Sequence, residues 1–376
     1  MEENTQGQEP VQEQIPAQET APTPEGTSQP VSPKKSGNMK KRAITGILYV
    51  LVLLAFFALK LFVWVPAERL GDGSGLRVGM LFFDLLIVAF GVVGTWEMLR
   101  AFKDKLHGSQ KTIVTIFSIL VVVTYAVSDF VFADVFGIRL PEETGIDGIV
   151  SMVRGRNYSL HITFVVFMAG ICALFGLLVF AHEKVSLEST GCALLSYIYP
   201  SFFLLVLSVC NHLEKYSELA LRFVFVICPC ADTFAFIFGK SFGKKLPAKM
   251  APHVSPKKTI IGGFGGLLGG AIGAVIIFFA SYGISLLDDA GIVASLRWDL
   301  SIDAPNIIFY IALGILTSAF SQFGDLVESA IKRKVGIKDM GKILPGHGGI
   351  LDRIDSALYA GPIVCVVMVV RIMIFH

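Results

Sequence analysis

Nine long apolar runs constrain the fold of this chain more than any other feature. Each run is long enough to cross about 30 Å of hydrocarbon as an α-helix. The runs lie near residues 43–63, 77–97, 112–132, 159–181, 190–210, 219–239, 260–282, 305–325 and 357–375. The composition agrees, since 53% of the residues are hydrophobic and only 16% are charged. The sequence therefore predicts an all-α, polytopic transmembrane helical bundle of about nine spans.

The chain divides into three parts. Residues 1–42 are rich in Gln, Glu, Pro and Thr and end in a basic cluster. Such a segment buries too little apolar surface to offset the entropy of ordering, so we expect a disordered cytoplasmic tail. We assign residues 43–210 to amino-terminal transmembrane helices. Residues 211–376 are assigned to a catalytic transmembrane region, because they contain the polar motifs described below.

Loop charges predict the orientation of the chain in the membrane. Five basic residues precede the first apolar run: Lys34, Lys35, Lys40, Lys41 and Arg42. Short cytoplasmic loops carry an excess of Lys and Arg, so we expect the N-terminus on the cytoplasmic side of a cell inner membrane. Alternation then places loops 100–111, 182–189, 240–258 and 326–356 in the cytoplasm. Segment 240–258 agrees, with six lysines and no acidic residue.

Neither the overall charge nor the cysteines indicate a nucleic-acid or zinc site. The formal net charge of +2 gives no global basic field, so nucleic acid is not an expected partner. The six cysteines lie in or at the ends of apolar runs, without the paired spacing of a zinc site. We therefore interpret all six as buried apolar residues.

The first polar constellation surrounds the sixth and seventh apolar runs. Asp232 lies within an apolar run, where a carboxylate costs at least about 2.5 kcal/mol, so it has either a function or a buried partner. Ser255, Lys257, Lys258 and Thr259 precede a glycine-rich helix start, where free backbone N–H groups favour phosphate. The alternative is that these lysines are basic only because the loop is cytoplasmic. We predict that Asp232 belongs to a functional site and that the other four residues bind phosphate.

The second polar constellation follows the eighth apolar run. On a helix, its four polar residues would be spaced i, i+3, i+4 and i+7 and would share one face. They are Asp325, Glu328, Ser329 and Lys332. The pattern predicts one polar stripe at the cytoplasmic end of this span.

Two further carboxylates open the last apolar run. Asp352 and Asp355 are spaced i, i+3, in a first helical turn where the helix dipole favours negative charge. A loop rich in glycine separates them from Asp325 and has the backbone freedom to fold one helix face against the other. We therefore expect the three carboxylates to converge.

This combination of residues favours phosphate chemistry. Carboxylates and lysines without an accompanying Cys or His cluster suit Mg²⁺ and phosphates, so they indicate phosphoryl or nucleotidyl transfer. The sequence leaves two roles open. His347 could form a turn, contact phosphate or transfer a proton, and Arg353 could pair with a carboxylate or clamp a phosphate.

The run from Ser329 to Asp355 resembles the signature of CDP-diacylglycerol synthases, or phosphatidate cytidylyltransferases. The resemblance also includes Gly324-Asp325 and Ser255–Thr259. It implies a membrane homodimer that makes CDP-diacylglycerol and pyrophosphate from CTP and phosphatidate in phospholipid biosynthesis. It implies Mg²⁺ bound by Asp325, Asp352 and Asp355, with a monovalent cation such as K⁺ beside it in some members.

The same resemblance assigns the remaining roles. Beside the three acids, the expected catalytic residues are Lys332, Lys338 and Asp339. The expected CTP or phosphate contacts are Ser329, Arg333, His347, Gly348, Gly349 and Arg353, in addition to the first constellation.

One position departs from the family pattern. Where the family usually has Glu after the Ser-Pro-Lys-Lys-Thr segment, this chain has Ile261. The departure leaves open an altered nucleotide site or a catalytically impaired member. Other open readings are a CTP-dependent lipid kinase, a cytidylyltransferase for another lipid phosphate, and a cation transporter that uses Asp232 and Asp325.

Overall fold

The computed structural model describes residues 74–130, 158–213, 216–289, 302–344 and 348–375. In these ranges the helices are α1 (Ser74–Ala101), α2 (Gly108–Phe130), α3 (Tyr158–Phe180), α4 (Leu187–Asn211), α5 (Ser217–Phe242), α6 (Ile260–Asp289), α7 (Ala304–Val335) and α8 (Leu351–Phe375). The strands β1 (Lys249–Ala251) and β2 (Ser255–Thr259) pair antiparallel. The tail 1–42 and the run near 43–63 lie outside the described residues.

All eight described helices are long and apolar enough to cross a membrane. Each corresponds to one of the predicted apolar runs, so the integral-membrane, all-α fold is confirmed. Three of the helices contain an internal proline, at Pro200, Pro229 and Pro362. Membrane helices tolerate such prolines because neighbouring groups satisfy the freed backbone atoms.

The helices pack in two groups. Helices α1 to α4 contact one another, and α5 to α8 contact one another. The groups meet where α4 packs against α8 and α5, and where the end of α1 contacts the start of α8. Helix α8 is therefore the element through which the amino-terminal helices reach the polar motifs of α7.

The glycine-rich run 262–273 is helical, and its glycines lie where helices approach closely. A Cβ at Gly270 of α6 would lie 2.5 Å from the carbonyl oxygen of Gly314 in α7. A Cβ at Gly269 would lie 2.7 Å from the carbonyl oxygen of Cys230 in α5. Small residues thus allow the α5, α6 and α7 backbones to pack in direct contact, as is common between membrane helices.

The loops predicted to be cytoplasmic lie at one end of the bundle. Lys105 after α1 pairs with Glu188 at the start of α4, with 2.7 Å between Nζ and Oε1. Segment 240–258, expected to be a loop, contains the last residues of α5 and nearly all of the β1–β2 hairpin. The hairpin lies at the carboxyl-terminal end of α7, because Val254 in its turn accepts a hydrogen bond from Arg333 there. The loop after α7 reaches the same end of α1 as Lys105, since the N–H of Ile350 is bound by Glu97. This shared end agrees with the alternation of the loops.

The prediction that all six cysteines are buried is only partly right. Cys210, Cys228 and Cys365 are buried, and Cys192 and Cys230 are partly buried. Cys172 is exposed, so the prediction is wrong for this residue. It lies on α3, whose described residues are mostly unburied and would be covered by lipid. A thiol is apolar enough for that position.

A polar cluster around Asp84 lies toward the end of the bundle opposite the β1–β2 hairpin. The buried carboxylate of Asp84 in α1 accepts hydrogen bonds from Ser208 and, at 3.3 Å, from the Asn211 amide of α4. Its other oxygen is 2.7 Å from Nε2 of His212. The cluster joins α1 to the carboxyl-terminal end of α4 inside an apolar environment.

The glycine contacts predict a selective cost for small substitutions. Gly270→Ala should lower the melting temperature of the detergent-solubilised protein, because overpacking costs about 1–3 kcal/mol. Gly176→Ala in α3 is the matched control, since no described residue has an atom within 4 Å of the added Cβ. Thermal unfolding of both variants tests the contact. Equal melting temperatures in the two variants would contradict close α6–α7 packing.

Candidate active site

The carboxyl-terminal third of α7 carries the predicted polar stripe. Glu328 is fully buried, with 0% of its surface exposed, and the Lys332 side chain is 13% exposed. The Ser329 hydroxyl donates to Oδ1 of Asp325 at 3.4 Å. Helix α7 ends at Val335 and is capped by Gly336, whose φ of 75° lies in the left-handed region that glycine adopts readily. The stripe therefore faces other parts of the protein.

Lys332 joins α7 to α8. Its ammonium lies 2.8 Å from Oδ1 of Asp352 in α8 and also bonds to Oε2 of Glu328 in its own helix. All three side chains are largely or wholly buried. A buried charge is strongly unfavourable unless it is paired, so this bridge fixes the two helices relative to each other.

Asp352 also closes the loop between the two helices. Its Oδ2 accepts hydrogen bonds from the backbone N–H groups of Met340, at 2.9 Å, and Gly349, at 2.7 Å. Gly348 has a φ of 89°, and a Cβ there would lie 2.5 Å from Oδ2 of Asp352. Only glycine fits this turn without strain. One carboxylate thus binds Lys332 with one oxygen and the loop with the other.

Asp325 and Asp355 lie where the backbones of α7 and α8 approach closely. A Cβ at Gly324 would lie 2.6 Å from the carbonyl oxygen of Asp355, so the backbones are in contact there. The two carboxylates interact electrostatically. Oδ2 of Asp325 is 2.5 Å from Nζ of Lys258 in β2, and Asp232 of α5 lies within electrostatic range of both. Four elements therefore contribute to one charged cluster.

The pair Asp325 and Asp355 fits the chemistry of Mg²⁺. Among the residues that the structure describes, no three His, Cys, Asp or Glu side chains are arranged to hold a metal ion. Mg²⁺ in phosphate chemistry, however, is usually held by one or two carboxylates together with substrate phosphates. Asp325 already forms an ion pair with one cationic group, the ammonium of Lys258. Asp352 has one oxygen bound by Lys332 and the other by the loop, so this geometry favours Asp325 and Asp355 as the metal ligands. A role for Asp352 as third ligand stays a prediction from the resemblance, and the proposal below does not use it.

Comparison with known proteins places the chain among cytidylyltransferases. Residues 73–371 match the model described as the cytidylyltransferase family. The chain belongs to this family. It is 28% identical over 325 residues to the phosphatidate cytidylyltransferase of Bacillus subtilis, an alignment that covers 86% of this chain and 96% of the relative.

Two staphylococcal relatives match over a shorter region. The phosphatidate cytidylyltransferases of Staphylococcus haemolyticus and Staphylococcus epidermidis are 37% and 39% identical to this chain over 148 residues. These alignments cover 39% of this chain and 48% of each relative, so the matched segment spans about half the length of the staphylococcal proteins.

Several expected site residues lie outside the buried network. Lys338 and Asp339 are exposed in the loop after α7. Arg353 is exposed on α8 but lies within electrostatic range of Asp232. Arg333, also exposed, donates through Nε to the carbonyl oxygen of Val254 at 3.3 Å. His347 lies outside the described residues. The functional roles of all these residues stay predictions.

The expected phosphate-binding segments already have some protein partners. The Thr259 hydroxyl oxygen accepts the N–H of Gly262 at 3.1 Å and so caps α6, while the N–H of Gly349 is bound by Asp352. Lys257 is exposed, and Ser255 is partly buried. Ile261, where the resemblance expects Glu, is partly buried in the first turn of α6.

Two buried acids near the site are not among the site residues predicted from the sequence. Glu328 belonged to the predicted stripe but received no role, although it binds Lys332. Glu97 of α1 received no attention at all, yet its carboxylate binds the backbone at the start of α8. The signal that singled out Asp232, an acid within an apolar span, applies equally to Glu97.

The central bridge makes a prediction about stability. Lys332→Met should lower both the melting temperature and turnover, because breaking a buried pair costs about 3–5 kcal/mol. Adding Glu328→Gln to this variant should restore part of the stability, since one unpaired carboxylate is removed. Lys334→Met, at an exposed position of the same helix, is the control. Thermal unfolding in detergent checks all three, and identical melting temperatures for Lys332→Met and Lys334→Met would contradict the bridge.

Proposed function

We propose that this chain transfers CMP from CTP to phosphatidate, giving CDP-diacylglycerol and pyrophosphate. The observation that carries the proposal is the cluster of Asp325, Asp355, Lys258 and Lys332 at one end of a membrane bundle. Membership of the cytidylyltransferase family and the names of the relatives support the same reaction. Phospholipid biosynthesis is the process that this product would serve.

The reaction needs positioned charge more than a strong base. An ionised phosphatidate oxygen attacks the α-phosphorus of CTP, a new P–O bond forms, and the bond to the β-phosphate breaks to release pyrophosphate. Because the attacking phosphate is already an anion near neutral pH, deprotonation is not the main barrier. The barrier lies in bringing two polyanions together and stabilising the leaving group, which is an electrostatic task.

The residues of the cluster divide this task. Lys258, with Lys257 beside it in β2, attracts the triphosphate. Asp325 and Asp355 would hold Mg²⁺, which when bound would supply positive charge beside the reacting phosphates. Lys332 keeps Asp352 and the loop after α7 in place. Asp232 lies within electrostatic range of two basic residues near this cluster, Lys258 and Arg353.

The location of the cluster suits a substrate that is half lipid. It lies at the end of the bundle that carries the lysine-rich hairpin, which we assign to the cytoplasmic face of the inner membrane. The acyl chains of phosphatidate can then stay in the bilayer while its headgroup meets soluble CTP. The homodimer and the monovalent cation are further expectations that the resemblance implies.

Two labelled forms of CTP test the reaction directly. With purified protein, phosphatidate and diacylglycerol in mixed micelles, the α-³²P label should enter the lipid and the γ-³²P label should not. A CTP-dependent lipid kinase would instead transfer the γ label to diacylglycerol. Transfer of the γ label, or no incorporation of either label under Mg²⁺, would overturn the proposal.

The division of roles predicts different behaviour for three similar acids. Asp325→Asn and Asp355→Asn should each lower turnover at least about 10²–10³-fold, with partial recovery at raised Mg²⁺ or with Mn²⁺. Asp352→Asn should lower the melting temperature as well as turnover, because it weakens the bridge and the loop. Asp104→Asn, an exposed acid at the same end, is the control. Initial rates measured against Mg²⁺ concentration decide between these outcomes, and an unchanged Mg²⁺ dependence in Asp325→Asn and Asp355→Asn would contradict the metal assignment.

A further inference from the structure

Glu97 links the amino-terminal helices to the loop of the candidate active site. It lies near the end of α1 and is fully buried, with 0% of its surface exposed. Its two carboxylate oxygens accept the N–H groups of Ile350, at 3.0 Å, and Leu351, at 2.9 Å. Helix α8 begins at Leu351. Glu97 therefore caps α8 from 254 residues away in the sequence.

The physical chemistry of helix ends explains the preference for a carboxylate here. The first N–H groups of an α-helix have no partner within the helix, and the helix dipole places positive potential at that end. In a buried site water cannot satisfy these groups, so an uncapped α8 would carry a large desolvation cost. An acid from a neighbouring helix satisfies two of them at once.

The loop itself is packed against Glu97. A Cβ at Gly341 or at Gly349 would overlap the carboxylate of Glu97. Both glycines are buried, and each belongs to the segment whose ends donate to Asp352. Met340 and Gly341 at one end of the loop, and Gly349 at the other, thus lie against two carboxylates, Asp352 from α8 and Glu97 from α1.

We propose that Glu97 is a positioning residue for CMP transfer, an inference that rests on the proposed function. It does not meet the substrate. It fixes the amino-terminal end of α8 and the loop, and through them the pairing of Asp352 with Lys332 and the placement of Asp355 beside Asp325. The amino-terminal half of the chain thereby supplies one component of the catalytic geometry.

Kinetic measurements test this role against a purely structural one. Glu97→Ala should lower kcat roughly 10–100-fold, the range typical of residues that orient catalytic groups. Glu97→Gln should lose less, because one amide oxygen can still accept a backbone N–H. Asp84→Asn is the matched control, since it alters a buried acid of the same helix toward the other end of the bundle. It should lower the melting temperature and leave the kcat of folded protein unchanged.

Two kinetic outcomes would overturn the inference. The first is a wild-type kcat in Glu97→Ala. The second is a loss of activity in Glu97→Ala that disappears once the rate is divided by the amount of folded protein, which is the behaviour expected of Asp84→Asn. A double-mutant comparison adds a sharper criterion. Gly349→Ala alone should lower kcat severely, because the added Cβ overlaps the carboxylate of Glu97. In the Glu97→Ala background that carboxylate is gone, so the combined loss of kcat should be smaller than the product of the two single losses.

A spin label reports loop position without any catalysis. A nitroxide at Ile343→Cys, an exposed loop position, should be immobilised in the parent and clearly more mobile with Glu97→Ala. The parent carries Cys172→Ser to remove the exposed native thiol. Unchanged mobility would overturn the inference even if CMP transfer is confirmed. Increased mobility in a protein that transfers no CMP would defeat the proposed function and leave the loop contact standing.

Discussion

A buried ammonium group, that of Lys332, holds together the two helices on which the candidate site depends. It pairs with Glu328 in α7 and with Asp352 in α8, and each of these carboxylates would be uncompensated without it. Near the other end of the same two helices, Arg371 of α8 donates to the side chain of Asn306 in α7 at 3.0 Å. The Lys332 bridge sets the pairing of α7 and α8 at the end that carries Asp325 and Asp355.

Three acids to which the resemblance gives one role have different surroundings in the fold. Asp352 has both oxygens bound, one by Lys332 and one by the loop N–H groups of Met340 and Gly349. Asp325 pairs with Lys258 at 2.5 Å from a separate hairpin and remains partly exposed. The first acid organises the site, whereas Asp325 together with Asp355 is suited to holding a cation against a phosphate. Glu97 of α1 adds a second carboxylate that holds the start of α8 and the adjacent loop.

Local patterns in the sequence predict most of the fold and part of the site. Hydropathy identified the described spans, and the i, i+3, i+4, i+7 spacing identified the polar face of α7, because both depend only on helix geometry. The sequence could not show that Lys332 would bind Asp352, or that Glu97 would cap α8, because these contacts join helices far apart in the chain. The β1–β2 hairpin is not predicted either, because the lysines of this segment indicate a cytoplasmic loop and carry no signal for the hydrogen-bonded pairing of two short strands.

The most direct test of this account is the position of a metal ion in a CTP-bound structure. Crystals of the protein with CTP and Mn²⁺, measured at the manganese edge, would give an anomalous peak that identifies the ligands. The account predicts one peak held jointly by Asp325, Asp355 and the CTP phosphates, with Lys332 still bound to Asp352. A peak on Asp352 with Lys332 displaced, or CTP bound without any peak between α7 and α8, would contradict it.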